Sequence, residues 1–137
     1  MSHTLAIIKP DAVLSGKAGK VLAQLEQHGF TVLALRMTRM DAYSAGEFYA
    51  VHRERPFYAS LVSLMTSGPA IPMVLEAPDA VCRLRDVIGA TDPAEAAPGT
   101  IRKMYAESKE RNVIHASDSE ENAAREIAFF FSRQEMS

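Results

Sequence analysis

Apolar positions in this chain fall into short runs and helical stripes that punctuating residues separate cleanly. Leu5-Ala6-Ile7-Ile8 is a continuous apolar run closed by Lys9-Pro10. Proline has no N–H and pushes the residue before it toward extended backbone, so a strand is predicted over Thr4 to Lys9. Val21, Leu22 and Leu25 recur at helical spacing and stop at Gly29, where a glycine suits a helix end. Thr31 to Met40 alternates Val32 and Ala34 with Leu33, Leu35 and Met37, which predicts a second strand. Asp41 is placed to cap a helical stretch through Tyr49 and His52, and Phe57 to Met65 carries Leu61, Leu64 and Met65 at helical spacing before Gly68 and Pro69. Ile71 to Glu76 predicts the third strand. Pro78 and Asp79 then open a helix bearing Val81, Leu84, Val87 and Ile88. Residues 89 to 100, GATDPAEAAPGT, are a loop by composition, and a connection of that length is often functional. Asn112 to His115 predicts a fourth strand. The last helix is expected from Ser117 or Asp118, with Ala123, Ala124, Ile127, Ala128 and Phe131 on its apolar face.

The order strand, helix, strand, helices, strand, helix, strand, helix predicts an α+β fold. It fits a ferredoxin-like, four-stranded antiparallel sheet of split βαβ units, with helices on one face and extra helices inserted. A flavodoxin-like parallel sheet competes with it. Residues 1–137 suit one domain, long enough to bury roughly 70% of the surface its unfolded chain exposes.

Composition narrows the function classes. A formal net charge of -2 gives no global attraction to nucleic acid or an anionic membrane, so any basic site must be local. Leu5 to Ile8 is too short for a signal-peptide core or a membrane span, and a cytoplasmic protein is expected. The single cysteine, Cys82, excludes an internal disulfide and is read as a small buried filler. Strands 4 to 9 and 71 to 76 contain no Phe, Tyr or Trp, which argues against an RNA-binding sheet.

Residues that could carry chemistry are few. GKAGK at 16 to 20 is not a phosphate loop: counted back from Gly19, the required first glycine is Leu14, and the hydroxyl residue after the lysine is Val21. His28, His52 and His115 share no metal-ligand spacing. His115 stands out because a strand ends on it and a helix is expected to begin just after it, a junction rigid enough for covalent chemistry. A nucleophilic imidazole needs an acceptor on one nitrogen so that the other is free to attack, and Glu126 is a candidate. Arg83 and Arg85 stand two apart on a helix, so only one of them can serve a given pocket.

Six ordered blocks then bear jointly on function: Lys9-Pro10-Asp11, HRERPFY at 52 to 58, TSGPA at 66 to 70, GATDP at 89 to 93, PGTIR at 98 to 102 and NVIHASDS at 112 to 119. Together they resemble the nucleoside diphosphate kinases over nearly the whole chain. The resemblance implies ping-pong phosphoryl transfer, in which His115 takes the γ-phosphoryl group of a nucleoside triphosphate on Nδ1 and passes it to a nucleoside diphosphate. It implies phosphate contacts from Lys9, Arg85 and Arg102 with a hydroxyl from Thr91, sugar contacts from Asn112 and Lys9, and base stacking on Phe57. Tyr49 and Arg55 match supporting positions, and Ser117 and Glu126 match groups that orient the imidazole. It also implies Mg²⁺ held mainly by phosphates and water, broad nucleotide specificity, and a homo-oligomer, tetramer or hexamer. The chain departs from the usual pattern at Ala12 and Ala116, where glycine is frequent, at Asp92, where asparagine is frequent, and at Lys103-Met104, where Gly-Asp is usual. Activity is expected to survive these changes. A family member retained as an interaction module with weak catalysis is the alternative, and the intact residue set argues against it.

Overall fold

The computed structural model describes residues 1–136. Its sheet is built around β1 (Ser2–Ile8), which lies between β3 (Ile71–Ala77) and the short β4 (Ile114–Ala116), with β2 (Thr31–Leu35) on the far side of β3. The order is β2-β3-β1-β4 and every ladder is antiparallel. Neighbours in the sheet are not neighbours in sequence, so the chain crosses over between strands, as split βαβ units require. This is the ferredoxin-like topology. The parallel alternative is excluded.

Helices cover both faces of the sheet, where the sequence pattern suggested one. Ala6, Ile8, Met73 and Leu75 cluster with Val21 and Leu25 of α2 (Ala18–Gln27) and with Leu84 and Ile88 of α5 (Ala80–Ile88). On the opposite face, Leu5, Ile7 and Val74 meet Ala45 and Phe48 of α3 (Ala42–Phe48), Met65 of α4 (Tyr58–Met65) and Ile127 of α7 (Glu120–Phe130). A strand covered on both faces has no polar side, which is why β1 reads as a continuous apolar run. Each fully buried Ile or Leu there stabilises the fold by roughly 1.5–3 kcal/mol. Ile7 lies opposite His115 in the β1–β4 register, so this core sits directly beneath the fourth strand.

Several boundaries move. Strand β2 ends at Leu35, and beyond it the stretch to Met40 keeps one bond from Arg36 N–H to the Pro72 carbonyl and an isolated bridge of Thr38 with Ala70. The helix expected from Asp41 is α3, closed by a capping box between Asp41 and Ser44, and a single 3₁₀ turn (Ala50–His52) follows it. Two five-residue helices, α1 (Pro10–Leu14) and α6 (Ile101–Tyr105), are too short to leave a periodic signal. Helix α7 starts at Glu120 with Ser119 as its cap, so Ser117 and Asp118 are free for other contacts. On α7, Ala124 and Ala128 are exposed and Glu126 takes an inward place. Cys82 is exposed on α5 and not a buried filler. Ala12 and Ala116 both avoid positive φ, which makes alanine acceptable at each.

Candidate active site

The centre of the site is a turn that no periodicity predicts. Ile114 N–H donates to the Asn112 carbonyl at 2.9 Å across Val113, whose φ is +80°. This is a γ-turn of the strained, left-handed kind, costing about 1–3 kcal/mol for a β-branched residue. Val113 therefore precedes the strand instead of anchoring it. Two bonds from the end of β1 hold the turn: Lys9 N–H donates to the Val113 carbonyl at 2.8 Å, and Asp11 Oδ2 accepts from Val113 N–H at 2.9 Å. Asn112, before the turn, and His115, after it, both line the same cavity of about 330 Å³.

The imidazole of His115 is fixed from behind. Its Nε2 lies 2.7 Å from Glu126 Oε1, and Ser117 Oγ donates to that same oxygen at 2.8 Å. The Glu126 side chain is only 7% exposed. Burial alone would raise its pKa, but the hydrogen bond and charge of His115, with the bond from Ser117, outweigh burial and hold it below the ordinary glutamate value. An ionised carboxylate can only accept, so Nε2 carries a proton in either state of the ring, and in the neutral ring Nδ1 is the nitrogen with the lone pair. The rings of Phe48 and Tyr49 meet the imidazole edge-on, with centroids 5.3 and 5.8 Å away. The Tyr49 hydroxyl is buried without a hydrogen-bond partner, and burial followed by the charge of Glu126 drives its pKa upward.

Four cationic side chains, Lys9, Arg85, Arg102 and Arg125, line the cavity. Lys9 is 5% exposed, and its Nζ donates to Asn112 Oδ1 at 2.8 Å and to the Glu110 carbonyl at 2.9 Å. Burial, partly offset by Asp11, lowers its pKa from 10.5 to about 8. Arg102, on α6, donates to three backbone carbonyls: Ile114 at 2.7 Å, Gly89 at 3.1 Å and Asn112 at 3.3 Å. Burial and the neighbouring Arg85 lower it to about 10. Arg85 Nη1 donates to the Ala116 carbonyl at 3.4 Å, while Arg83 turns away to the His28 carbonyl, so the two arginines separate as their spacing predicts. Asn112 Nδ2 donates to the carbonyls of Lys109 and Thr91, which ties the 89–100 loop to the γ-turn. Gly89 closes the base of that loop at φ +89°, where a Cβ would stand 2.6 Å from Thr100 Oγ1.

A second cavity of about 470 Å³ shares Lys9, Leu61, Thr91 and Asn112 with the first and adds Phe57. Phe57 is 46% exposed and sits 5.4 Å from His52 between ring centroids. Arg55 lines a neighbouring surface cleft with Arg53 and Glu54 and belongs to neither cavity. Asp11, which supports the γ-turn, and His52, Asp118, Asn122 and Arg125, which line the first cavity, are polar residues that sequence patterns left without a role in the site. The acid immediately after Lys9-Pro10 was the available signal for the first of them. Among the described residues no three His, Cys, Asp or Glu side chains converge as a metal cage. Of the carboxylates lining the first cavity, Glu126 is engaged by His115 and Ser117, and Asp118 accepts from Asn122 Nδ2 at 2.6 Å. A divalent cation fits here only as a partner of bound phosphates.

Residues 2–136 match the family model described as nucleoside diphosphate kinase. A nucleoside diphosphate kinase of Chlorobium luteolum is 57% identical over 136 residues, covering 99% of this chain and 97% of the relative. Among solved structures, the Aquifex aeolicus nucleoside diphosphate kinase superposes with a TM-score of 0.97 at 50% identity, covering 99% of both chains. A Halobacterium salinarum nucleoside diphosphate kinase in complex with CDP gives a TM-score of 0.94 at 41% identity, over 99% of this chain and 91% of that one. With a polar, cationic cavity around one tethered histidine and relatives of this closeness over its whole length, the chain belongs to the nucleoside diphosphate kinase family and is a phosphotransferase.

Proposed function

We propose that the protein exchanges γ-phosphoryl groups between nucleotides through a phosphohistidine at His115. The observation that carries this reading is the 2.7 Å bond between His115 Nε2 and Glu126, which leaves Nδ1 as the nitrogen with a lone pair in a cavity bearing Lys9, Arg85 and Arg102. In the first half-reaction the Nδ1 lone pair attacks the γ-phosphorus. The N–P bond forms as the P–O bond to the β-phosphate breaks, and its electron pair leaves on the nucleoside diphosphate. The ring keeps its Nε2 proton, and the positive charge it gains faces the Glu126 carboxylate. A second nucleoside diphosphate reverses these steps and leaves as a triphosphate.

Phosphoryl transfer spreads charge over the equatorial oxygens of a loose transition state, so cations already in position do most of the catalysis. Lys9, Arg85 and Arg102 supply that charge, and Thr91 adds a hydroxyl. Asn112 and Lys9 hold the sugar hydroxyl, Tyr49 packs the imidazole in place, and Phe57 takes the base by stacking, which every base permits. Broad specificity follows. Mg²⁺ bound with the nucleotide would neutralise charge at the phosphates, and no side chain of this protein is assigned as its direct ligand. The same reading places the protein with the cytoplasmic nucleotide pools and as a homo-oligomer, tetramer or hexamer, which a mass measurement in solution resolves. No helix among the described residues is long and apolar enough to cross a membrane.

The test is direct. Incubated with γ-labelled ATP and Mg²⁺, the protein is expected to form an acid-labile adduct that a nucleoside diphosphate discharges. An acid-stable adduct, or one retained in His115→Ala, would sink the mechanism.

A further inference from the structure

Asp11 is 3% exposed, and its carboxylate uses only one of its two oxygens: Oδ2 accepts from Val113 N–H, whereas Oδ1 is buried with no hydrogen-bond partner. A buried carboxylate left half satisfied is costly, and an asparagine of the same shape would supply the one acceptor the turn needs without burying a charge. What the carboxylate adds over asparagine is that charge, placed two residues from Lys9 in the same tight segment. We infer that Asp11 is a positioning residue for the transfer reaction, holding the γ-turn between Asn112 and His115 through Oδ2 while its carboxylate charge favours the Lys9 ammonium from within the same Lys9-Pro10-Asp11 segment.

Three observations join in this assignment. The segment Lys9-Pro10-Asp11 grips Val113 at both its carbonyl and its N–H, and Pro10, at the first position of α1, fixes the backbone between the two grips. Val113 is strained, so it needs such a grip. Lys9 also lies among groups of both signs: Asp11 on α1 and Glu110 in the loop before β4 favour its charge, while Arg102 on α6 and Arg111 in the same loop oppose it. Asp11 ranks above Glu110 among these charges and is the buried one of the two acids. Arg111 also feels the charge of Asp11, but it is exposed and its guanidinium is already bonded to Glu107.

The inference rests on the role given to Lys9 above, and its test separates the two. Asp11→Asn keeps the shape and the acceptor while removing the charge. The expected result is a folded variant whose kcat/KM is about 3- to 10-fold lower at neutral pH, with a deficit that widens as pH rises because the alkaline limb has moved toward neutrality. The ¹³Cε shift of Lys9, followed against pH, reads the same displacement without any turnover, and its midpoint is expected to fall in Asp11→Asn. A lowered melting temperature with the Lys9 midpoint and the alkaline limb both unmoved would make Asp11 merely structural and overturn the inference. If the Lys9 midpoint falls while wild-type protein forms no adduct on His115, the poise stands and the proposed mechanism fails. Asp11→Ala, which removes the grip as well, is expected to lower kcat further than Asp11→Asn; equal kcat in the two would remove the positioning half of the assignment.

Discussion

The end of the cavity proposed to take the phosphates (the phosphate end) and the end proposed to take the base (the base end) are built on opposite plans. At the phosphate end Lys9, Arg102, Asn112, Ser117 and Glu126 are all buried and joined by hydrogen bonds to backbone or to one another. At the base end Phe57 is half-exposed, and Lys109 and Glu110, which share its cavity, are exposed on the surface. The difference follows the chemistry. A transition state rewards groups held in advance, whereas a base that is only stacked needs a flat face and no fixed partners. Rigidity is concentrated around the proposed nucleophile.

Substitutions at the two ends are therefore expected to separate in kind as well as in size. His115→Ala should lower nucleotide exchange by about 10⁴-fold or more, with little change in melting temperature, in a coupled assay beside thermal unfolding. Arg102→Ala should lower kcat by about 10²- to 10³-fold and also destabilise the fold. It strips the donor from three carbonyls, each loss costing about 1–3 kcal/mol where the carbonyl stays buried. If it left stability untouched, the phosphate end would not be the welded unit described.

The pH dependence sharpens the same contrast. Lys9 titrates near 8 in the free protein, so kcat/KM should fall about tenfold per pH unit above that value. Bound phosphate favours the ammonium, so the limb of kcat should lie at higher pH than that of kcat/KM. Stability should move the other way. Between pH 8 and 10.5 the unfolded chain binds the proton that the folded chain has lost, so stability rises with pH across that window, as urea unfolding at several pH values would show. At the base end Phe57→Ala should raise KM about tenfold while kcat stays within about twofold and the melting temperature does not move. The smallest effect is expected from Lys103→Gly. Lys103 is exposed and reaches only the Pro93 carbonyl at 3.4 Å, so activity should change by less than about twofold.

How much of this the sequence disclosed depended on the kind of signal. The strands and longer helices were legible because burial of periodic apolar positions is local information. That helices cover both faces of the sheet was not, since an apolar run says a strand is buried without saying by what. His115 was legible as a junction residue; of the two readings of Ser117, helix opener by position and imidazole-orienting group by resemblance, its bond to Glu126 agrees with the second, and Ser119 caps α7. The γ-turn at Val113 left no trace, because valine is a residue that patterns place in strands. Asp11 stood in view after Lys9-Pro10, but what it holds did not show, for a related reason. Its partner is a backbone N–H 102 positions away, and no side-chain pattern encodes such a bond.

The bond from His115 Nε2 to Glu126 has one more consequence, for the symmetry of the reaction in time. In the proposed exchange the proton sits on the nitrogen that does no chemistry, so the imidazole would have no tautomer to change between accepting a phosphoryl group and surrendering it. On that mechanism the protein that has just released one nucleotide is already in the state the next one needs. Forward and reverse transfer would then share a single proton inventory, the resting state would have no memory of which nucleotide came last, and the ratio of nucleotides in solution alone would set the direction of flux.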